Sequence, residues 1–225
     1  MDNGIKSKER VKNFGEVFTP DSIVNDMLDL VSEQLPEDES YITKTFLEPS
    51  CGDGQFLIRI LYRKLLQVQK LPLERRQFAL VKAVSSIYGI DIQQDNVDES
   101  RRRMMSIILG NKETSFDLND KPDAEIQIDL GIDMTDQLKN VIDYILTTNI
   151  KVGNTIDNND FVHNPNGAVE LIAYHFNDTK GKVSLARASI NNLDAEYDQT
   201  DEVDILDIVN IEFNDDDIND NDFDF

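Results

Sequence analysis

Phe46-Leu47-Glu48-Pro49-Ser50-Cys51-Gly52-Asp53-Gly54-Gln55-Phe56-Leu57 is the stretch on which the reading of this chain turns. Thr45 to Glu48 is a short run that ends in a glycine-rich turn, after which Phe56, Leu57, Ile60, Leu61 and Leu65 recur at helical spacing. The pattern predicts strand, glycine turn and helix. Such a turn lets backbone N–H groups approach a ligand closely, and the helix N-terminus favours an anionic group there. No Gly-Lys-Ser/Thr follows, and the spacing is not that of the dinucleotide fingerprint. Taken alone, the turn is more simply a strand-to-helix connection than a cofactor loop.

The surroundings extend the pattern. Upstream, Thr19 can N-cap a helix to Val31, with Pro20 at its first position and Ile23, Val24, Met27, Leu28 and Val31 on one face. Downstream, Leu73 to Val84 reads as a helix, Ser86 to Ile92 as a strand with Asp91 near its tip, and Asp95 to Leu109 as another helix. This alternation is that of a doubly wound parallel sheet, an α/β fold. An acid at a strand tip can accept hydrogen bonds from both hydroxyls of a ribose. By itself Asp91 is better read as an acid at the start of the next helix. A glycine turn after one strand and an acid at the tip of the next fall on the same sheet edge, and that combination points to an adenosyl cofactor.

Residues 111–136 are polar without a clear period and read as a long loop, followed by a helix with Leu138, Val141, Ile142, Ile145 and Leu146 on one side. A third strand, Ile150 to Val152, leads into Gly153 and an Asn-rich stretch. Val169 to Phe176 and Val183 to Ile190 flank a turn-like segment and predict a β-hairpin. From Asp194 to Phe225 there are 14 acids and no Lys or Arg, the composition of a disordered acidic tail. The expected division is a nucleotide-binding domain over 1–156, a hairpin-containing extension over 157–193 and the tail over 194–225.

Composition narrows the chemistry. With Cys51 as the only cysteine and two histidines, His163 and His175, an intrachain disulfide is impossible and a Cys/His zinc site is not expected. Neither a secretion signal nor an apolar stretch of about 18 residues is present, so no membrane partner is expected and the protein reads as soluble. The net charge of -22 is unevenly placed: residues 1–110 hold 15 Lys and Arg against 17 acids, residues 111–225 hold 7 against 27. The 14 acids of the tail over 194–225 would repel a DNA backbone. Arg101, Arg102 and Arg103 form the strongest basic cluster, read as a solvated helix end.

Three segments together resemble the N6-adenine and related amino-methylating DNA methyltransferases of restriction-modification systems and phages. Gly15-Glu16-Val17-Phe18-Thr19-Pro20 looks like that family's motif X, Phe46 to Leu57 like motif I, and Tyr88-Gly89-Ile90-Asp91-Ile92 with Asp95-Asn96-Val97 like motif II. The resemblance implies a Rossmann-like, class I S-adenosylmethionine-dependent methyltransferase fold, shortened here, acting in a bacterial or phage cytoplasm. It implies that Phe18, Thr19 and Pro20 close over the methionine end of S-adenosylmethionine. Glu48, Pro49, Ser50, Cys51, Gly52, Asp53 and Gly54 would line its amino-acid portion, Asp91 would hold the ribose and Ile92 would pack on the adenine.

The pattern then departs from the family. Methylating an exocyclic amine needs an acceptor for its N–H groups and an aromatic ring stacked on the flipped base, which the family supplies as N-P-P-Y. The six prolines here include no Pro-Pro pair. The nearest segment, Asn164-Pro165-Asn166-Gly167, keeps an amide and one proline, making Asn164 a weak catalytic candidate and otherwise part of a turn. Val152-Gly153-Asn154-Thr155-Ile156 resembles the family's G-D-x-L segment, with Asn154 in the place of an Asp that would meet adenine. His175 reads as a structural residue of a hairpin strand. Three functions remain open: a DNA methyltransferase with a partner subunit supplying the catalytic motif and target recognition, a methyltransferase of small molecules or proteins, and an inactive module binding a basic protein or mimicking DNA.

Overall fold

A computed structural model describes residue 19 and residues 21–32, 38–110, 128–157, 159–165, 167–211 and 213. Phe18 and Pro20 of the motif-X segment lie outside the described residues, as does most of the loop expected over 111–136.

Helix α1, Asp21–Ser32, buries Val24 and Leu28. A 3-10 turn, Glu39–Thr43, follows, capped by Asp38, whose carboxylate accepts the Ser40 N–H at 2.8 Å. Strand β1, Phe46–Glu48, runs through the glycine turn into helix α2, Gln55–Lys70. Helix α3, Leu73–Ser85, leads to strand β2, Ile87–Asp91, and helix α4, Gln94–Ile108, follows it. Helix α5, Asp136–Asn149, begins at Thr135, which accepts the Leu138 N–H at 3.2 Å, and passes directly into strand β3, Ile150–Val152. The strands pair in parallel in the order β1-β2-β3, so the fold is mixed α/β with a three-stranded parallel sheet at its centre.

The two faces of that sheet are covered differently. Phe46, Ile87, Ile150 and Val152 belong to the larger core with the helices. Helix α2 contacts α1, α3, α4, the first 3-10 turn and the sheet, which is why Leu57, Ile58, Leu61, Leu65 and Val68 are all buried. Each such side chain contributes about 1.5–3 kcal/mol on burial. Tyr88 and Ile90, pointing the other way along β2, pack with Val169 and Leu171 in a second cluster.

That second cover is an antiparallel sheet. Strands β4, Glu170–Asn177, and β5, Lys182–Ser189, form the expected hairpin, with Asn177 opposite Lys182. Strand β6, Asn192–Tyr197, and the short β7, Val203–Asp204, both pair with β5. Two side chains of the parallel sheet tie β4 down by its carbonyls: Tyr88 Oη donates to Ile172 O at 2.7 Å and Lys151 Nζ to Glu170 O at 2.8 Å.

The acidic segment expected to be a disordered tail from Asp194 is therefore structured through Asn210. A 3-10 turn, Ile205–Asn210, buries Ile205 and Ile208 in the main core, and the Phe213 ring lies 4.7 Å from the Arg187 guanidinium. Composition misled here because Val203, Ile205, Leu206 and Ile208 are interleaved with acids that point to solvent. The hairpin segment shares both hydrophobic clusters with the first 156 residues, so it is a cover of the same core. Among the described residues, no helix is long and apolar enough to cross a membrane.

Candidate functional site

The carboxyl ends of the three parallel strands are stitched together through the glycine turn. Cys51 N donates to Ile90 O at 2.9 Å, Gly153 N to Asp91 O at 3.0 Å, and Thr155 Oγ1 to Pro49 O at 3.1 Å. Gly54 is the N-cap of α2 and has φ of +88°. A Cβ there would lie 2.8 Å from Ser100 Oγ and 3.1 Å from Ser100 Cα, so both backbone hand and helix contact require glycine. The glycine at this position is thus explained by packing alone.

Asp91 is the link between turn and sheet. Its buried carboxylate accepts Gly52 N at 2.9 Å, Gln93 N at 2.9 Å and Asn96 Nδ2 at 3.2 Å. A carboxylate offers about four acceptor positions. A ribose bound through both hydroxyls would use the remaining one and displace one existing bond, of which that from Asn96 is the longest. Ile92, beside it, is half-buried. Thr19 is also half-buried.

Helix α4 braces the turn from the other side. Ser100 Oγ donates to Gly52 O at 3.0 Å, and Arg103 Nη1 bonds both Asp53 O at 2.9 Å and Asp53 Oδ2 at 3.0 Å. Arg101 instead reaches the end of α5 and the start of β3, donating to Thr147 O at 3.1 Å and, through Nε, to Ile150 O at 2.9 Å. Arg102 pairs with Glu99 at 2.7 Å. Of the basic cluster expected to be a solvated end, Arg102 is exposed as expected, while Arg101 and Arg103 reach the α5–β3 junction and the glycine turn, because successive residues on a helix face different directions. Ser100 and Arg103, three residues apart and so on one face, carried the signal that sequence reading missed.

Two ionisable groups in the turn are shifted. Burial raises the Glu48 carboxyl, opposed by the Ser50 N–H at 3.3 Å. Burial, and then the Asp91 charge, push the Cys51 thiol up to about 12. A protonated, buried thiol is a poor nucleophile. Cys51 is expected to react with iodoacetamide at pH 8 at less than about a hundredth of the unfolded rate; equal rates in native and denatured protein would contradict its burial. Because the folded value lies above the ordinary 9.0, this group's stabilising contribution is full below pH 9 and is lost as pH rises toward 12.

Beyond β3 the chain forms a loop held by its own side chains. Asn164, buried, accepts Asn154 N through Oδ1 at 2.9 Å and donates through Nδ2 to Asn154 O at 2.7 Å and Asp157 O at 3.1 Å. Asn154 Oδ1 accepts the N–H groups of Ile156 at 3.0 Å and Asp157 at 3.1 Å, and its Nδ2 donates to Asp160 Oδ2 at 2.9 Å. His163 Nδ1 lies 2.7 Å from the same Asp160 oxygen. The bonds from Asn154 and then His163 lower the Asp160 carboxyl to about 2. Both donors of the Asn164 amide and its oxygen are committed to the loop, an arrangement of a structural asparagine rather than an amine-facing one.

Glu48, the turn from Pro49 to Gly54, Asp91, Ile92 and Asn154 are thus brought to one sheet edge. A separate groove of about 380 Å³ lies between β1 and β4, with Leu47, Tyr88, Ala173 and His175 among its walls. None of its lining residues belongs to the glycine turn or is a hydrogen-bond partner of the Asp91 carboxylate. His175 faces it on β4, its Nε2 2.5 Å from Glu196 Oε2, which accounts for it as part of the sheet surface. No family model matches this chain, and no curated protein or solved structure matches it.

Proposed function

We propose that this chain binds S-adenosylmethionine at the edge formed by the glycine turn and Asp91, as a shortened Rossmann-like member of the amino-methylating, adenine-N6 DNA methyltransferase type. The observation that carries the reading is the 2.9 Å bond from Gly52 N to Asp91, which joins the turn after β1 to the acid at the tip of β2. The order β1-β2-β3 is compatible with one half of a doubly wound sheet, and in sheets of that kind ligands lie outside the carboxyl ends of the strands. Glu48 and the backbone of Ser50 to Gly54 would hold the amino-acid end, Asp91 the ribose and Ile92 the adenine. The cofactor supplies an electrophilic methyl group when bound.

The amine-facing group and the base-stacking ring are then contributions of a partner subunit, since the Asn164 amide is committed to its own loop. That same observation favours a second reading, a cofactor-binding or relic module without transfer activity of its own.

Calorimetric titration with S-adenosylmethionine tests the site, and its 2′-deoxyribose analogue tests Asp91 without disturbing the turn. Hydrogen bonds to a charged group contribute about 1.5–3 kcal/mol, so the analogue is expected to bind at least about tenfold more weakly. Asp91→Asn should weaken binding as well and lower the unfolding midpoint, because it places an amide donor against Gly52 N or its neighbours. Absence of heat from a folded sample would refute the cofactor reading; equal affinity for the two ligands would remove Asp91 from the ribose.

A further inference from the structure

We infer that the loop from Asn154 to Asn164 is a docking surface for a second protein chain, one presenting an apolar pocket rimmed by Lys or Arg. Three large apolar side chains stand out of this loop: Ile156 is 95% exposed, Val162 83% and Phe161 68%. They are not the surface of a collapsed apolar loop, because its backbone is fixed by the polar network of Asn154, Asp160, His163 and Asn164. A surface fixed beforehand loses little conformational freedom when it is covered. Clustered exposed apolar side chains with a polar rim mark interaction sites.

The charge around them selects the occupant. No Lys or Arg stands between Lys151 and Lys180, whereas Asp157 and Asp160 lie within the loop. Lys151 donates to Glu170 O, and Arg101 and Arg103 are engaged with β3 and the glycine turn. Nucleic acid and anionic lipid would meet like charge here, and a second copy would bring the same acids and another net -22. A basic protein surface complements both the rim and the chain as a whole. Gly153, at the loop's foot, bonds Asp91 O, so such a partner would sit beside the glycine turn.

The probe is a lysine–leucine amphipathic helical peptide, titrated without S-adenosylmethionine and followed by backbone amide NMR shifts. Binding here and cofactor binding can therefore fail separately. The shifts are expected to centre on Ile156, Phe161 and Val162. The variant Ile156→Ser/Phe161→Ser/Val162→Ser retains every charge and should bind at least about tenfold more weakly, the size of one or two interface anchors, at an unchanged unfolding midpoint. If that midpoint moves, Phe161→Ser alone provides the comparison. Undiminished binding by the variant, or shifts centred elsewhere, would mean attraction by charge alone and overturn the proposal. So would variant-sensitive self-association in sedimentation, or variant-sensitive binding to a 20-base-pair duplex or to zwitterionic vesicles, each assigning the surface to a different occupant.

Discussion

Replacing Lys64 by methionine is expected to lower the unfolding midpoint by roughly 10 °C, although the residue lies outside the candidate site. Lys64 is completely buried on α2, and its N–H groups are shared among four acceptors around Nζ, Tyr41 O and Ile42 O at 3.0 Å, Lys44 O at 2.5 Å and Ser86 Oγ at 2.9 Å. The Tyr41 and Phe46 rings face the same nitrogen at 5.6 and 5.2 Å. One side-chain nitrogen thus closes the first 3-10 turn and sets the entry to β1. Methionine fills the volume but leaves the carbonyls without a donor, at about 1–3 kcal/mol for each group left unmet. A loss of roughly 3–5 kcal/mol follows, read by thermal or denaturant unfolding. Burial also draws the Lys64 amine down to about 7 from 10.5. The unfolded chain therefore holds more protons between those values, and the stability advantage over the methionine variant grows as pH rises through that window. A variant as stable as the parent would show that water replaces the lysine nitrogen in the cage.

Gly54→Ala is expected to cost roughly 2–4 kcal/mol, again by unfolding. The left-handed backbone accounts for about 1–2 kcal/mol, and the remainder comes from a Cβ pressed against Ser100 at 2.8–3.1 Å. The double variant Gly54→Ala/Ser100→Gly separates the two. It removes Ser100 Oγ and Cβ while leaving Cα and the backbone hand, so after correction for Ser100→Gly alone part of the loss should return. Full recovery would show that the turn relaxes its φ at no cost; a single variant without effect would mean that α4 does not brace the turn.

Much of the central sheet was legible because its signals are local. The helical recurrence from Phe56 to Leu65 and the short apolar run before Gly52 locate β1, the turn and α2, and Ile150 to Val152 is the third strand as expected. What covers the sheet was not legible. Leu47, Tyr88 and Ile90 announce an apolar second face, but nothing near them states that Val169 and Leu171, some 80 residues later, will meet it. The site divides in the same way. Asp91 and the glycine turn could be paired from strand order, whereas Lys64, Ser100 and Arg103 act through backbone atoms of distant segments and Asn164 through those of its own loop, and a backbone carbonyl leaves no mark in a sequence. Asn164 is the clearest instance: its neighbour Pro165 drew attention to a motif, while its partners Asn154 and Asp157 determine its role.

Helix α4 reaches both lips of the strand-tip edge, gripping Asp53 and Gly52 on one side and Thr147 and Ile150 on the other. It acts as a crossbar. Any ligand that pries the glycine turn outward must strain the α5–β3 junction through the same rod, so the two walls yield together or not at all. Amide exchange in the turn and at that junction should therefore slow in concert on ligand binding, even where the ligand touches only one wall.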